Sequence, residues 1–237
     1  VTKHFGFFGP AKIKDAGCHA SLFCSFFQKS AISSFLKSGR ADSLLLQRIQ
    51  TMILPIVAYG SPVLKEKAAD INPLPAELKA LVADMYETMY NADGCGLAAP
   101  QIGKSIRLFV IDAELLDEEK YKGCKMAFVN AQMLEEPGEI WACDEGCLSI
   151  PGIREEVKRP GRILIRYQDE EGTEHTREFE GMMARVIQHE YDHIEGRLFI
   201  DHLSPLKKRL IQGKLNDILK GKAKHAYPMR FAQSGRR

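Results

Sequence analysis

Residues 188–196 read QHEYDHIEG, and the reading of this stretch decides how the rest of the chain is understood. In a helix, His189 and His193 stand four apart and lie over one another on one face. Glu190 sits beside the first histidine, within reach of a water held between a metal and a substrate. This is the HExxH arrangement of a metal hydrolase. A charged amphipathic helix with capping histidines would show the same short pattern. The preceding run MMARVIQ speaks against that alternative, because Met182, Met183, Val186 and Ile187 recur at helical spacing and would bury the face.

Two histidines do not fill a tetrahedral site, so a third ligand must come from elsewhere, with the fourth position open to water. From the residues alone the candidates are Cys147, Cys143, Glu145, Asp144 and, after the helix, Glu195. Cys147 draws attention because Gly146 beside it lets backbone approach closely and Ser149–Pro151 tie the loop down.

Outward from this stretch the chain reads as alternating strands followed by helices. A helix is predicted from Pro75 to about Ala92, with Leu78, Leu81, Val82, Met85 and Met89 on one stripe. Gly94–Gln101 reads GCGLAAPQ. It has no third glycine and no Lys-Ser/Thr, so it is no phosphate loop, and a close turn is the plainer reading. Strands are predicted at Ile106–Ile111 and Met126–Met133, and a hairpin turns at DEEG, 169–172. A last helix carries Leu206, Leu210, Ile211, Leu215, Ile218 and Leu219, and the basic tail 221–237 is expected to be partly mobile. Antiparallel strands first and helices afterwards argue an α+β domain.

Composition bounds the function. The chain has 237 residues, 45% of them hydrophobic, enough to bury one sizeable core. Residues 1–51 carry seven Lys/Arg against two Asp, whereas residues 52–237 carry 26 Lys/Arg against 29 Asp/Glu. The main body is therefore not a basic surface for sequence-specific nucleic acid or for membranes. Six scattered cysteines make no disulfide scaffold, and a thiolate ligand requires a reducing compartment. No apolar run approaches the length of a membrane-spanning helix, about 18 residues. Residues 1–51 read as an extension of a folded unit that begins at Met52, with an organellar presequence as the alternative.

The three stretches GCGLAAPQ (94–101), EGCLS (145–149) and QHEYDH (188–193), in that order, resemble peptide deformylase over about residues 52–220. The resemblance implies an α+β fold of small antiparallel sheets around a central HExxH helix. It implies a cytoplasmic enzyme that hydrolyses the formyl group from N-formylmethionyl nascent chains and releases formate. Carried over motif by motif, the metal ligands fall on Cys147, His189 and His193, and the acid/base on Glu190. Oxyanion donors fall on the Gln101 side chain and the Leu148 backbone N–H. Substrate contacts fall on Cys95, Gly96 and Gly146 through backbone, on Met182, Arg185 and Val186 at the methionine pocket, and on Arg154 at the entrance. Arg185 is polar at that position, so its stem is expected to line the pocket while its charge reaches solvent. The family works characteristically with Fe²⁺, and the Cys/His/His set also accepts Zn²⁺, Ni²⁺ or Co²⁺. Lys207, Lys208, Lys214, Lys220, Lys222 and Lys224 suggest docking on the ribosome.

Overall fold

A computed structural model of the chain describes residues 51–232. The extension assigned to 1–51, apart from Thr51, and the last five residues of the tail lie outside the described residues.

Among the described residues, nine strands and three α-helices follow in the order β1 (Ile56–Val57), α1 (Leu78–Asn91), β2 (Gly96–Ala98), β3 (Leu108–Asp112), β4 (Lys125–Glu135), β5 (Ile140–Cys147), β6 (Ile150–Pro160), β7 (Arg162–Gln168), β8 (Glu174–Glu180), α2 (Gly181–Ile194), α3 (Pro205–Leu219) and β9 (Met229–Arg230). They make a five-stranded antiparallel sheet ordered β2-β3-β4-β7-β8, the separate hairpin β5–β6, and a parallel pair β1–β9.

The side-chain alternation of β3 explains where the two main helices sit. Successive residues of a strand point to opposite faces. Phe109 and Ile111 join the cluster that holds Ala184, Val186 and Ile187 of α2, whereas Leu108 and Val110 join the one that holds Val82, Met85 and Met89 of α1. All four are fully buried, so β3 is an inner strand covered on both faces. Phe109 and Phe128 are cross-strand partners with ring centroids 4.6 Å apart, and Tyr167 on β7 follows at 4.3 Å from Phe128. This aromatic row is the floor beneath α2. A third cluster joins Ile150, Ile153 and Val157 of the hairpin to Ile211, Leu215 and Ile218 of α3.

Helix ends follow the expected chemistry. Ser204 caps α3 by accepting from the Lys207 N–H at 3.3 Å, and Pro205 occupies the first turn. Gly196 follows α2 with φ +72°, and a Cβ there would meet the Lys65 carbonyl oxygen at 2.7 Å. Only glycine permits that exit.

One expectation of the fold needs correction. The HExxH helix is not by itself the metal centre: the structure gathers a Cys147–His189–His193 triad, in which α2 supplies two donors and the end of β5 the third. The fold is thus α+β with small antiparallel sheets whose donor cluster lies where a hairpin meets a helix. The stretch 140–160, to which the sequence pattern assigns no element, is a long antiparallel hairpin. Within the tail beyond Gly221, Met229–Arg230 form β9.

Candidate metal centre

Each donor is placed by a different constraint. His189 and His193 lie one turn apart on α2, edge to face, with ring centroids 5.2 Å apart. Cys147 ends β5, where the ladder slips between Gly146 and Cys147, so its sulfur turns toward the helix. The Cys147 Sγ lies 3.3 Å from His193 Nε2. Ligand atoms of Cys147, His189 and His193 all fall within 4.8 Å of one another.

The tautomer of His189 follows from its neighbour. Its Nδ1 lies 3.0 Å from Glu145 Oε2. An ionised carboxylate only accepts, so Nδ1 carries the proton and Nε2 offers its lone pair. Glu145 is 3% exposed and is held ionised by its surroundings. Burial raises its pKa, but hydrogen bonds from His189 and Arg159 outweigh this and hold it well below the usual carboxylate range. Arg159 grips Glu145 in a fork, with Nε at 2.8 Å and Nη2 at 3.0 Å, and reaches Asp192 with Nη1 at 2.6 Å. His202 faces the same Asp192 oxygen at 2.8 Å. Burial pushes the His193 imidazole well below its ordinary value, which keeps it neutral, as a ligand must be.

Arg185 belongs to this network and does not send its charge to solvent. It is 2% exposed, donates from Nη1 to Glu145 at 3.0 Å and from Nη2 to the Trp141 carbonyl at 2.7 Å, and lies 4.4 Å from the Trp141 ring centroid. Burial lowers its pKa, and Glu145 opposes that shift. Two guanidiniums thus balance the carboxylates of Glu145 and Asp192, which a buried charge requires.

Glu190 faces inward from α2, 4% exposed, and its Oε2 has no hydrogen-bond partner among the described residues. Burial pushes its carboxyl up to about 7, against the pull of His189. Its other oxygen packs on Gly96, where an added Cβ would come within 2.5 Å of Oε1. Gln101, 1% exposed, lies in the 3₁₀ turn Ala99–Ile102. The Ala98 N–H donates to its Oε1 at 2.8 Å, which turns its NH₂ toward Cys147 Sγ at 3.5 Å and Ser149 Oγ at 3.4 Å. Leu148 occupies the turn directly after Cys147.

The remaining candidates are spread around this centre. Val186 lies in the cluster under α2 with Cys95 packed against it, and burial pushes the Cys95 thiol up to about 12. Met182 is half-buried in the first turn of α2. Gly146 pairs with Arg154 across the hairpin, and Arg154 donates from Nε to the exposed Asp144 at 2.6 Å.

Two imidazole nitrogens and a cysteine sulfur suit a tetrahedral divalent ion with one position left for water. The orphan Glu190 oxygen and the fixed His189 tautomer fit the same arrangement.

A family model described as polypeptide deformylase matches residues 53–209. The chain belongs to the polypeptide deformylase family. It is 54% identical over 180 residues to the peptide deformylase of Cytophaga hutchinsonii, covering 76% of this chain and 98% of that one. It is 53% identical to that of Flavobacterium johnsoniae, covering 76% and 97%. Among solved structures, peptide deformylase from Legionella pneumophila aligns with a TM-score of 0.65 at 36% identity, covering 73% of this chain and 99% of that one. That from Thermotoga maritima aligns at 0.59 and 41%, covering 65% and 99%.

Two deformylase neighbours of the site escaped sequence reasoning. Arg159 had a signal: Ile153, Val157 and Arg159 share the inward phase of β6. Tyr227, whose hydroxyl donates to the Leu148 carbonyl at 2.7 Å, had none, because 79 residues separate the two.

Proposed function

We infer that this chain hydrolyses the N-formyl group of N-formylmethionyl nascent polypeptides and releases formate, in the cytoplasm where such chains are made. One observation carries the reading: Cys147, His189 and His193 present their donor atoms within 4.8 Å of one another. Glu190 follows His189 on the same helix and is buried.

The triad would hold one divalent ion, which supplies Lewis acidity and a lowered pKa for water. Glu190 takes the proton of the attacking water and passes it to the amine nitrogen as the C–N bond breaks. Gln101 Nε2 and the Leu148 N–H donate to the oxygen of the formyl carbonyl as it gains charge, each worth about 2–4 kcal/mol in the transition state. Glu145 holds His189 in the required tautomer, and Arg159 and Arg185 hold Glu145.

Backbone at Cys95, Gly96 and Gly146 pairs with an extended peptide, which leaves later side chains weakly selected. Met182, Val186 and the stem of Arg185 line the methionine pocket, and Arg154 stands at the entrance, steadied by Asp144. Fe²⁺ is the physiological ion in this reading, and the same donors accept Zn²⁺, Ni²⁺ or Co²⁺. The catalytic unit spans 52–220, preceded by an extension over 1–51. Among the described residues no helix is long and apolar enough to cross a membrane. Ribosome docking through Lys214, Lys220, Lys222 and Lys224 adds a partner. Lys207 and Lys208 are engaged within the fold, with Glu155 and with the Asp201 carbonyl.

Formate release by anaerobically purified, iron-loaded protein tests the assignment. A formyl-methionyl peptide should yield formate and an acetyl-methionyl peptide should yield no acetate. Equal cleavage of both, or of neither, would overturn it.

A further inference from the structure

We propose that Tyr227 is a positioning residue for the reaction: its hydroxyl holds the Leu148 backbone so that the Leu148 N–H points at the reacting carbonyl. This rests on the oxyanion role given to Leu148 above.

The two carbonyls that follow that N–H are both gripped from one side of the molecule. The Leu148 carbonyl accepts from the Tyr227 hydroxyl at 2.7 Å, and the Ser149 carbonyl accepts from the Tyr59 N–H at 2.8 Å. Both donors flank the parallel pair β1–β9, in which Ile56 faces Met229 and Val57 faces Arg230. The pair is closed by Ile56 N–H to the Pro228 carbonyl and Ala58 N–H to the Arg230 carbonyl, each 2.9 Å. Leu148 is also packed from behind, since a Cβ on Gly94 would meet its Cδ1 at 2.8 Å. With the Cys147 sulfur fixed before it and two carbonyls fixed after it, the Leu148 N–H has little freedom to turn.

The same C-terminal strand braces the second donor. The Arg230 guanidinium lies against Gly103, the residue that closes the turn carrying Gln101. Segment 225–230 therefore touches the supports of both groups assigned to the oxyanion. A tyrosine serving only to fill the core would give its ring to the cluster around Leu97 and Met89, as Tyr227 does, without needing this hydroxyl contact. The phenylalanine variant separates the two roles, because it keeps the ring and removes one oxygen.

The experiment compares wild-type and Y227F holoenzyme on a formyl-methionyl peptide. We expect kcat to fall about tenfold, less than outright loss of a donor would cost because the Leu148 N–H remains and is only misaimed, with KM within about twofold and Tm little changed. The Leu148 and Ser149 amide resonances of ¹⁵N-labelled protein should shift between the two proteins. Wild-type kcat in Y227F, or a fall in activity carried by KM or by unfolding alone, would overturn the proposal. A wild-type protein that releases no formate while Y227F still moves both amide resonances would defeat the deformylase reading and leave the positioning contact standing. Unmoved resonances would defeat the contact itself.

Discussion

The imidazole of His189 meets the Glu145 carboxylate at 3.0 Å through its Nδ1, and the same carboxylate is held by Arg159 and Arg185. A helix residue and a hairpin residue are thus locked by one buried acid. The orientation of the metal donor on α2 depends on the packing of β5 and β6.

Glu145→Gln should weaken the metal site before it affects the peptide site. The amide cannot accept all of the charged hydrogen bonds, and His189 loses the partner that fixes its tautomer. Loss of such an outer partner lowers metal affinity about 10–100-fold. Competition with a chelator, read as the rate of metal loss, checks this. The variant should also unfold at a lower temperature, because the buried Arg185 loses its counter-charge and Arg159 keeps only Asp192.

Gly96→Ala should cripple turnover with the metal still bound. Its Cβ would come within 2.5 Å of Glu190 Oε1 and 2.8 Å of both Cδ and Cγ, so the carboxylate must move. A misplacement of about 1 Å in a reacting group can cost about 100-fold in rate. Steady-state kinetics beside metal analysis measures it; a G96A enzyme with wild-type kcat would place the Glu190 carboxylate outside the reaction.

Far from the site, Asp169 organises the β7–β8 turn and supplies a pH-dependent part of the stability. Burial raises its pKa, but hydrogen bonds from His175 at 2.8 Å and from the Thr173 and Glu171 N–H groups together outweigh that and lower it. A carboxylate depressed in the folded state stabilises above its unfolded pKa, and the benefit is lost as pH falls through the folded value. Asp169→Asn should therefore lower Tm at about pH 7, and the gap from wild type should close below about pH 4. Thermal melts across that range check the sign.

Much of this architecture was legible because local pattern and burial agree. The stripe Leu78, Val82, Met85 and Met89 gave α1, which begins three residues later than the proline signal at Pro75. Alternation of Ile163, Ile165 and Tyr167 gave β7, all three buried. The stretch 140–160 was missed as a hairpin because its inward face carries Glu145 and Arg159, charges that mask the apolar alternation until their pairing is seen. Arg185 misled for the same reason: an arginine is expected at the surface, and only the distant Glu145 and the Trp141 ring explain its burial. The parallel pair β1–β9 joins two short strands from opposite ends of the described chain, and no local periodicity announces such a contact.

The central claim is that Glu190 moves the proton at a centre whose metal is held by Cys147, His189 and His193. Its most direct test is Glu190→Ala, with bound metal and formate release measured on the same iron-loaded preparation. The account predicts about one metal per chain, as in wild type, and a rate of formate release at the level of the blank. Wild-type formate release from metal-loaded E190A would contradict it.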